Sequence, residues 1–371
     1  MAGLYIHIPF CRSRCIYCAF FSTTRLERRQ HYVDALCREM ELRAHDLGDC
    51  SVDTVYIGGG TPSMLTAAQL DTLLQHAFSH FRVSPHAEIT LECNPDDVTD
   101  DLLATLPVNR VSMGAQTFSD ARLRFLRRRH SAVQVGQAVS CLRRHGIGNI
   151  SIDLMYGFPG ETLAQWQADI EAALALQVEH LSAYALSYEE GTPLHAMLQQ
   201  GRVEELSDDL QRDMYYALKD RLETAGYEHY ELSNFARPGF SSRHNSGYWD
   251  GTPYLGLGAG AHSYDGTRRQ WNVADLDAYL GAIAEGRVPA EGEQLDDITR
   301  YNEQVMTRLR TRRGLPLQLL SAAERSYCLR QARRYLDCGW LVLQGADTLV
   351  LTRQGLFVSD MVMSDLMMLP T

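Results

Sequence analysis

The sequence predicts an α/β fold, a parallel sheet of six strand–helix repeats curled into a partial barrel and followed by a small helical unit. Short apolar segments alternate with amphipathic helical patterns through the first half of the chain. Glycine-rich and polar motifs recur where those apolar segments end, and past residue 186 the alternation weakens. The strands are expected at 4–8, 54–57, 88–92, 110–114, 150–155 and 180–186, with helices at about 26–45, 66–80, 98–105, 119–128, 132–145 and 161–176. Strands joined by helical crossovers pair in parallel with a right-handed connection, and such sheets carry their chemistry at the C-terminal strand ends. Six repeats, short of the eight that close a full barrel, leave one side open to a large, flat ligand. A helix is expected over about 207–226, followed by a segment at 230–236 and a Gly/aromatic-rich stretch at 238–272. From about 296, helices lead to two strands, 341–343 and 348–351, around Gly345-Ala346-Asp347, a winged-helix-like pattern. The expected division is a barrel over 1–235, a connecting region over 236–295 and a C-terminal unit over 296–371.

At 371 residues and 45% hydrophobic content, the chain can bury a full core. The formal net charge of −11 argues against a general nucleic-acid binder, whose affinity comes from clustered positive charge. Lys219 is the only lysine among 35 basic residues. No apolar run approaches the ~18 residues that span a bilayer, and the N-terminus runs directly into a strand. A cytoplasmic protein without a transmembrane segment is therefore expected.

Nine cysteines are present, and three of them, Cys11, Cys15 and Cys18, lie on one short loop. Three thiolates at this spacing can hold three corners of a [4Fe-4S] cluster and leave the fourth iron open to a small chelating molecule. A zinc ion on the same thiolates with His7 as fourth ligand is the competing reading, although no second C-x2-C is present. A disulfide framework fits poorly with a long chain and an odd cysteine count. The other six, Cys37, Cys50, Cys93, Cys141, Cys328 and Cys338, are scattered and read as reduced thiols.

The C-x3-C-x2-C loop, led in by Tyr5-x-His7-x-Pro9-Phe10, resembles the cluster loop of the radical S-adenosylmethionine (SAM) superfamily. That resemblance implies a partial radical SAM barrel, a cluster on Cys11, Cys15 and Cys18, and SAM chelating the open iron. Gly58-Gly59-Gly60-Thr61-Pro62 ends the second strand and is similar to the superfamily's glycine motif, which places Gly59, Gly60 and Thr61 at the SAM amino group. Glycines there let backbone approach a ligand closely. By the same resemblance Glu92 accepts the SAM ammonium, Arg128 forks onto its carboxylate, and Gln116 and Asp153 bind the ribose hydroxyls. A guanidinium suits a carboxylate. Arg128 is chosen over Arg127 and Arg129 because family members place the arginine twelve residues after the glutamine. Tyr5 and Tyr17 flank the loop and are expected to pack on the cofactor.

A second motif, His244-Asn245-Ser-Gly-Tyr248-Trp249, offers an imidazole beside two large aromatics. Neutral imidazole is a competent axial ligand for haem iron, and aromatic rings can stack on a porphyrin. Together the motifs resemble the oxygen-independent coproporphyrinogen oxidase-like branch of the superfamily. Coproporphyrinogen dehydrogenases of that branch carry a fourth cysteine two positions past the third and a longer N-terminal arm. Here Phe20 holds that position and four residues precede Tyr5. Both features point to the HemW-type haem chaperones. The resemblance implies haem as cargo, with His244, Asn245, Tyr248 and Trp249 at its site on the open side of the barrel, acceptor haemoproteins such as respiratory enzymes as partners, and a homodimer as a possible state. The alternative is a coproporphyrinogen III dehydrogenase that uses SAM for radical decarboxylation.

Overall fold

The computed structural model describes every residue except Thr105, Ala346, Pro370 and Thr371. The end of the 98–105 helix and the middle of the Gly345-Ala346-Asp347 turn therefore lie outside the described residues. The apolar segments form β1 (Ala2–Ile8), β2 (Val52–Gly59), β3 (Val83–Cys93), β4 (Arg110–Gln116), β5 (Ile150–Tyr156) and β6 (His180–Ala185). Between them run α1 (Arg29–Leu42), α2 (Ala67–His80), α3 (Asp100–Leu103), α4 (Asp120–Phe125), α5 (Ala132–Arg144) and α6 (Leu163–Ala175). The helices start where the sequence supplies caps. Thr66 and Gln69 form a reciprocal capping box at α2, and Thr162 with Gln165 does the same at α6.

β1 to β6 pair in parallel in chain order, which sets Tyr5 opposite Tyr56, Glu92 opposite Ser112 and Asp153 opposite Ser182. Leu4, Ile6, Val55, Leu91, Val111, Ile152 and Leu181 lie buried in the sheet, as expected for parallel strands covered by helices.

The sheet continues beyond six strands. After α7 (Pro193–Gln199) and α8 (Asp208–Thr224), β7 (Glu228–Glu231) and β8 (Asn234–Ala236) add antiparallel strands beside β6. At the other edge, following α9 (Arg243–Asp250), β9 (Tyr254–Leu257) runs parallel to β1. β10 (His262–Tyr264), β11 (Arg268–Asn272) and, after α10 (Leu276–Ala284), β12 (Ala290–Gln294) follow antiparallel. The strand order is β12-β11-β10-β9-β1-β2-β3-β4-β5-β6-β8-β7, an open sheet of twelve. The expected connecting region over 236–295 is corrected by this topology: it supplies four strands of the sheet, and the division at 235/236 cuts through β8.

The C-terminal unit has α11 (Asp297–Leu309), β13 (Leu315–Pro316), α12 (Ala322–Asp337), β14 (Leu341–Gln344), β15 (Thr348–Leu351), α13 (Arg353–Leu356) and α14 (Ser359–Leu366). A three-stranded antiparallel sheet, β13-β15-β14, packs with these helices around its own core of Tyr301, Val305, Leu309, Cys328, Leu349 and Val362. Among the described residues, no helix is long and apolar enough to cross a membrane.

Candidate metal centre and cofactor cavity

The cysteine loop leaves the C-terminal end of β1 and is pinned where it begins and ends. Cys11 N–H donates to the Thr23 carbonyl at 2.9 Å, and Thr23 N–H donates back to Pro9 at 2.7 Å. Ile16 anchors its middle, buried with Leu126, Met155, Phe158 and Leu194. Apolar burial at Ile16 leaves the three cysteines half-buried around one cavity, with Tyr17, Gly60, Thr61, Asn94 and Arg128 on its walls.

The donor set fits a cluster better than a single ion. A structural zinc site on these three thiolates would need a fourth protein ligand. His7 is committed elsewhere. Its Nδ1 meets the Tyr5 hydroxyl at 3.0 Å and its Nε2 the Phe21 carbonyl at 3.3 Å, and burial lowers its pKa to about 4. Burial raises the Cys11 and Cys18 thiols above their ordinary values. Stable thiolates there require nearby positive charge, which a metal centre supplies.

Deeper in the barrel, two carboxylates face one another's charge. Glu92 accepts the Tyr56 hydroxyl at 2.7 Å and the Gly59 N–H at 3.0 Å, and burial pushes its pKa up to about 7. Burial raises Asp153 to about 6, against nearby Ser182 and Ser112. A pair of destabilised carboxylates suits an incoming cation and hydroxyl donors. Gly59 has φ 117°, and a Cβ there would lie 2.5 Å from the His7 ring. Only glycine serves at that position.

Arg128 is the inward member of its run. Its Nη2 donates to Asn94 Oδ1 and to the Gly114 carbonyl, both at 2.6 Å, and its Nη1 lies 3.7 Å from Cys15 Sγ. Arg129 pairs with Asp96 and Asp97, and Arg127 is exposed at the rim of the cavity. Gln116 holds a left-handed backbone, φ 67°, at a register shift in β4, and its amide crosses Gly114 toward Arg128. Strain of this kind concentrates at functional sites. Tyr17 is half-buried beside Arg128 and Cys15. Tyr5 lies lower in the barrel, its ring 6.1 Å from that of Tyr56 and its hydroxyl 3.0 Å from His7 Nδ1. Sequence reasoning missed Tyr56 and Asn94. Both sit two residues from a motif residue, Gly58 and Glu92 respectively, and the period-2 rule for strands puts such pairs on one face.

The second motif lies at the opposite end of the barrel. Glu88, near the start of the β3 pairing with β2, accepts the N–H groups of Arg243 at 2.9 Å and His244 at 3.1 Å and so caps α9. Ser242 accepts from Asn245 N–H, completing the cap. His244 is 5% exposed, with Nδ1 2.8 Å from Thr54 Oγ1 and Nε2 2.9 Å from the Tyr248 hydroxyl. Burial drops its pKa to about 3, and its ring stacks on Tyr56 at 5.0 Å. The expectation that His244 faces the open side as an axial ligand is therefore corrected: α9 closes the floor of the barrel, and both ring nitrogens are occupied. Tyr248 and Trp249 instead line a groove of about 390 Å³ against the C-terminal unit, together with Tyr254, Tyr264, Arg300 and Arg308. The Arg310 guanidinium covers the Trp249 ring at 4.7 Å.

Known proteins share this chain's sequence and fold. Residues 5–173 match the Radical SAM superfamily, and residues 295–358 match the HemN C-terminal domain. The chain is 39% identical to the heme chaperone HemW of Mycobacterium tuberculosis strain H37Rv, over 98% of this chain and 94% of that one. It is 38% identical to the heme chaperone HemW of Bacillus subtilis over 78% of each. The solved structure of coproporphyrinogen III oxidase (HemN) from Escherichia coli superposes with a TM-score of 0.85 over 98% of this chain and 89% of the other, at 23% identity, a likeness of fold alone.

Proposed function

From the premise that the chain belongs to the HemW family of radical SAM proteins, we propose that it is a haem chaperone, binding haem and passing it to acceptor haemoproteins. The observation that carries the reading is the 39% identity to a haem chaperone across 98% of the chain, which takes in both the cysteine loop and α9. Phe20 supports the same reading. It stands 75% exposed on the rim of the cysteine cavity, where the decarboxylating relatives carry a further cysteine.

In this proposal Cys11, Cys15 and Cys18 hold a [4Fe-4S] cluster, and Gly59, Gly60, Thr61, Glu92, Gln116, Arg128 and Asp153 surround SAM. The cluster, when bound, supplies an open iron and an electron source. The chain's own residues do the positioning. Glu92, fixed by Tyr56 and Gly59, offers its carboxylate to an ammonium, and Arg128, braced by Asn94 and the Gly114 carbonyl, offers its guanidinium to a carboxylate. Tyr17 and Ile16 keep the base of the loop dry.

Haem is assigned to the groove beside Tyr248 and Trp249, whose rings suit a porphyrin face, with Arg300, in an exposed and exchangeable pair with Asp297, at hand for a propionate. His244 supports Tyr248 from behind. Using His244 as an iron ligand through Nε2 would first break its bond to the Tyr248 hydroxyl, at about 1–3 kcal/mol for the buried group left unpaired.

The test is an anaerobic haem titration of cluster-loaded protein with and without SAM, followed by transfer to an apo-haemoprotein. One haem per chain and delivery to the acceptor are expected. Catalytic conversion of coproporphyrinogen III to protoporphyrinogen, or no haem binding, would overturn the reading.

A further inference from the structure

Away from the cluster and from the α9 groove, a third group of metal-competent side chains lies on the outer layer of the barrel. Glu41 stands in the last turn of α1, and His76 and His80 occupy the last two turns of α2, which packs beside α1. The histidines are four residues apart, the spacing that sets two side chains on one helical face. Their ring centroids are 5.8 Å apart. A ligand atom of each imidazole and a carboxylate oxygen of Glu41 all lie within 4.8 Å of one another.

Three further features make this a place for a cation. His76 Nδ1 is shielded from solvent and has no hydrogen-bond partner. A buried nitrogen of that kind costs free energy until something binds it. Both helices also end here, so two sets of terminal carbonyls and two negative dipole ends converge on the spot. Glu41 is the wrong charge for a helix C-terminus by itself. Its present partner is Arg38, at 2.6 Å on the exposed surface, an ion pair easily exchanged.

We propose that Glu41, His76 and His80 form a binding site for a divalent first-row transition-metal ion, with zinc and cobalt as fitting occupants. Two imidazole nitrogens and one carboxylate oxygen are the donor set of an open tetrahedral site, the fourth position being left to water. α1 and α2 run opposite to the strands they connect, so the site lies at the end of the barrel away from the cysteine loop. Metal binding there exchanges the Arg38 guanidinium for the ion on Glu41 and clamps α1 to α2. A second group, Asp100 with Cys141 and His145, also converges. There Asp100 already accepts from His145 at 2.8 Å and from Cys141 at 3.4 Å, and it carries no proposal.

The experiment is anaerobic titration of cluster-loaded protein with Co²⁺, read by visible absorption, and with Zn²⁺, read by calorimetry. One equivalent should bind with ligand-field bands of low coordination and no thiolate charge-transfer band. His80→Gln and Glu41→Gln should each weaken the ion at least tenfold, and Arg38→Gln, which frees the carboxylate, should tighten it severalfold. Because all three positions are on the surface, the variants should keep the wild-type cluster spectrum and melting temperature. Unchanged affinity in His80→Gln, or a cobalt spectrum dominated by thiolate charge transfer, would overturn the assignment.

Discussion

Replacing Glu92 with glutamine should change how stability depends on pH. Burial holds the Glu92 carboxyl at about 7, against an ordinary glutamate value of ~4.3. Between those two values the folded chain keeps a proton that the unfolded chain has released. Stability therefore falls as pH rises through that window, and the full penalty is present above pH 7. At about 1.4 kcal/mol for each pH unit of the difference, the full penalty is roughly 4 kcal/mol. Asp153, raised to about 6, adds to the same slope at slightly lower pH. Urea denaturation of SAM-free wild-type and Glu92→Gln protein at pH 5 and pH 8 measures the effect. The amide introduces a fixed cost, because its NH₂ group must donate to the Tyr56 hydroxyl where the carboxylate accepted from it, and comparison across pH cancels it. The variant should gain roughly 3 kcal/mol on wild type between the two pH values. An ammonium placed on Glu92 reverses the penalty, so SAM affinity of the wild type should fall as pH drops below 7. A stability difference independent of pH, with SAM affinity also independent of pH, would refute the assignment of Glu92 as a buried, charge-starved acceptor.

His244→Ala removes a buried ring and leaves the Thr54 and Tyr248 hydroxyls unpaired, so urea denaturation should show a loss of about 3 kcal/mol. Haem affinity in that variant should stay within threefold of wild type while Trp249→Ala weakens it at least tenfold; the opposite order in a haem titration would return the axial role to His244. Arg128→Lys loses the fork that joins Asn94 to the Gly114 carbonyl, and calorimetry should find SAM bound at least tenfold more weakly with cluster absorbance retained. Phe20→Cys restores the extra cysteine of the decarboxylating relatives, yet no protoporphyrinogen should appear in an anaerobic assay, since one thiol does not rebuild a substrate site.

The six parallel strands were legible because apolar runs and helical periods alternate without interruption, and each predicted strand lies within an observed one or within one residue of it. The motif residues were legible because they follow those strands, and Arg128 was chosen among its neighbours by the spacing that the family resemblance supplies. What escaped were features set by packing. β9 to β12 are three to five residues long and rich in glycine and polar residues, so no apolar run marks them. Their place beside β1 depends on buried contacts such as Glu39 with Tyr279 and Asn272, which join residues more than 200 positions apart. His244 was misplaced for a related reason. Its neighbours in sequence suggested an exposed ligand, whereas Thr54 and Glu88, which draw α9 into the floor, come from two distant strands. Tyr56 passed unnoticed because an aromatic in a buried strand carries no local sign that its hydroxyl meets a carboxylate.

The central claim is that the chain gives its metal centre three sulfurs and leaves a fourth position for SAM. Mössbauer spectroscopy of ⁵⁷Fe-reconstituted, oxygen-protected protein tests it directly. Four irons per chain are expected, one of them distinct and shifting when SAM is added. A bound zinc ion, or a cluster whose four irons are equivalent and indifferent to SAM, would contradict the account.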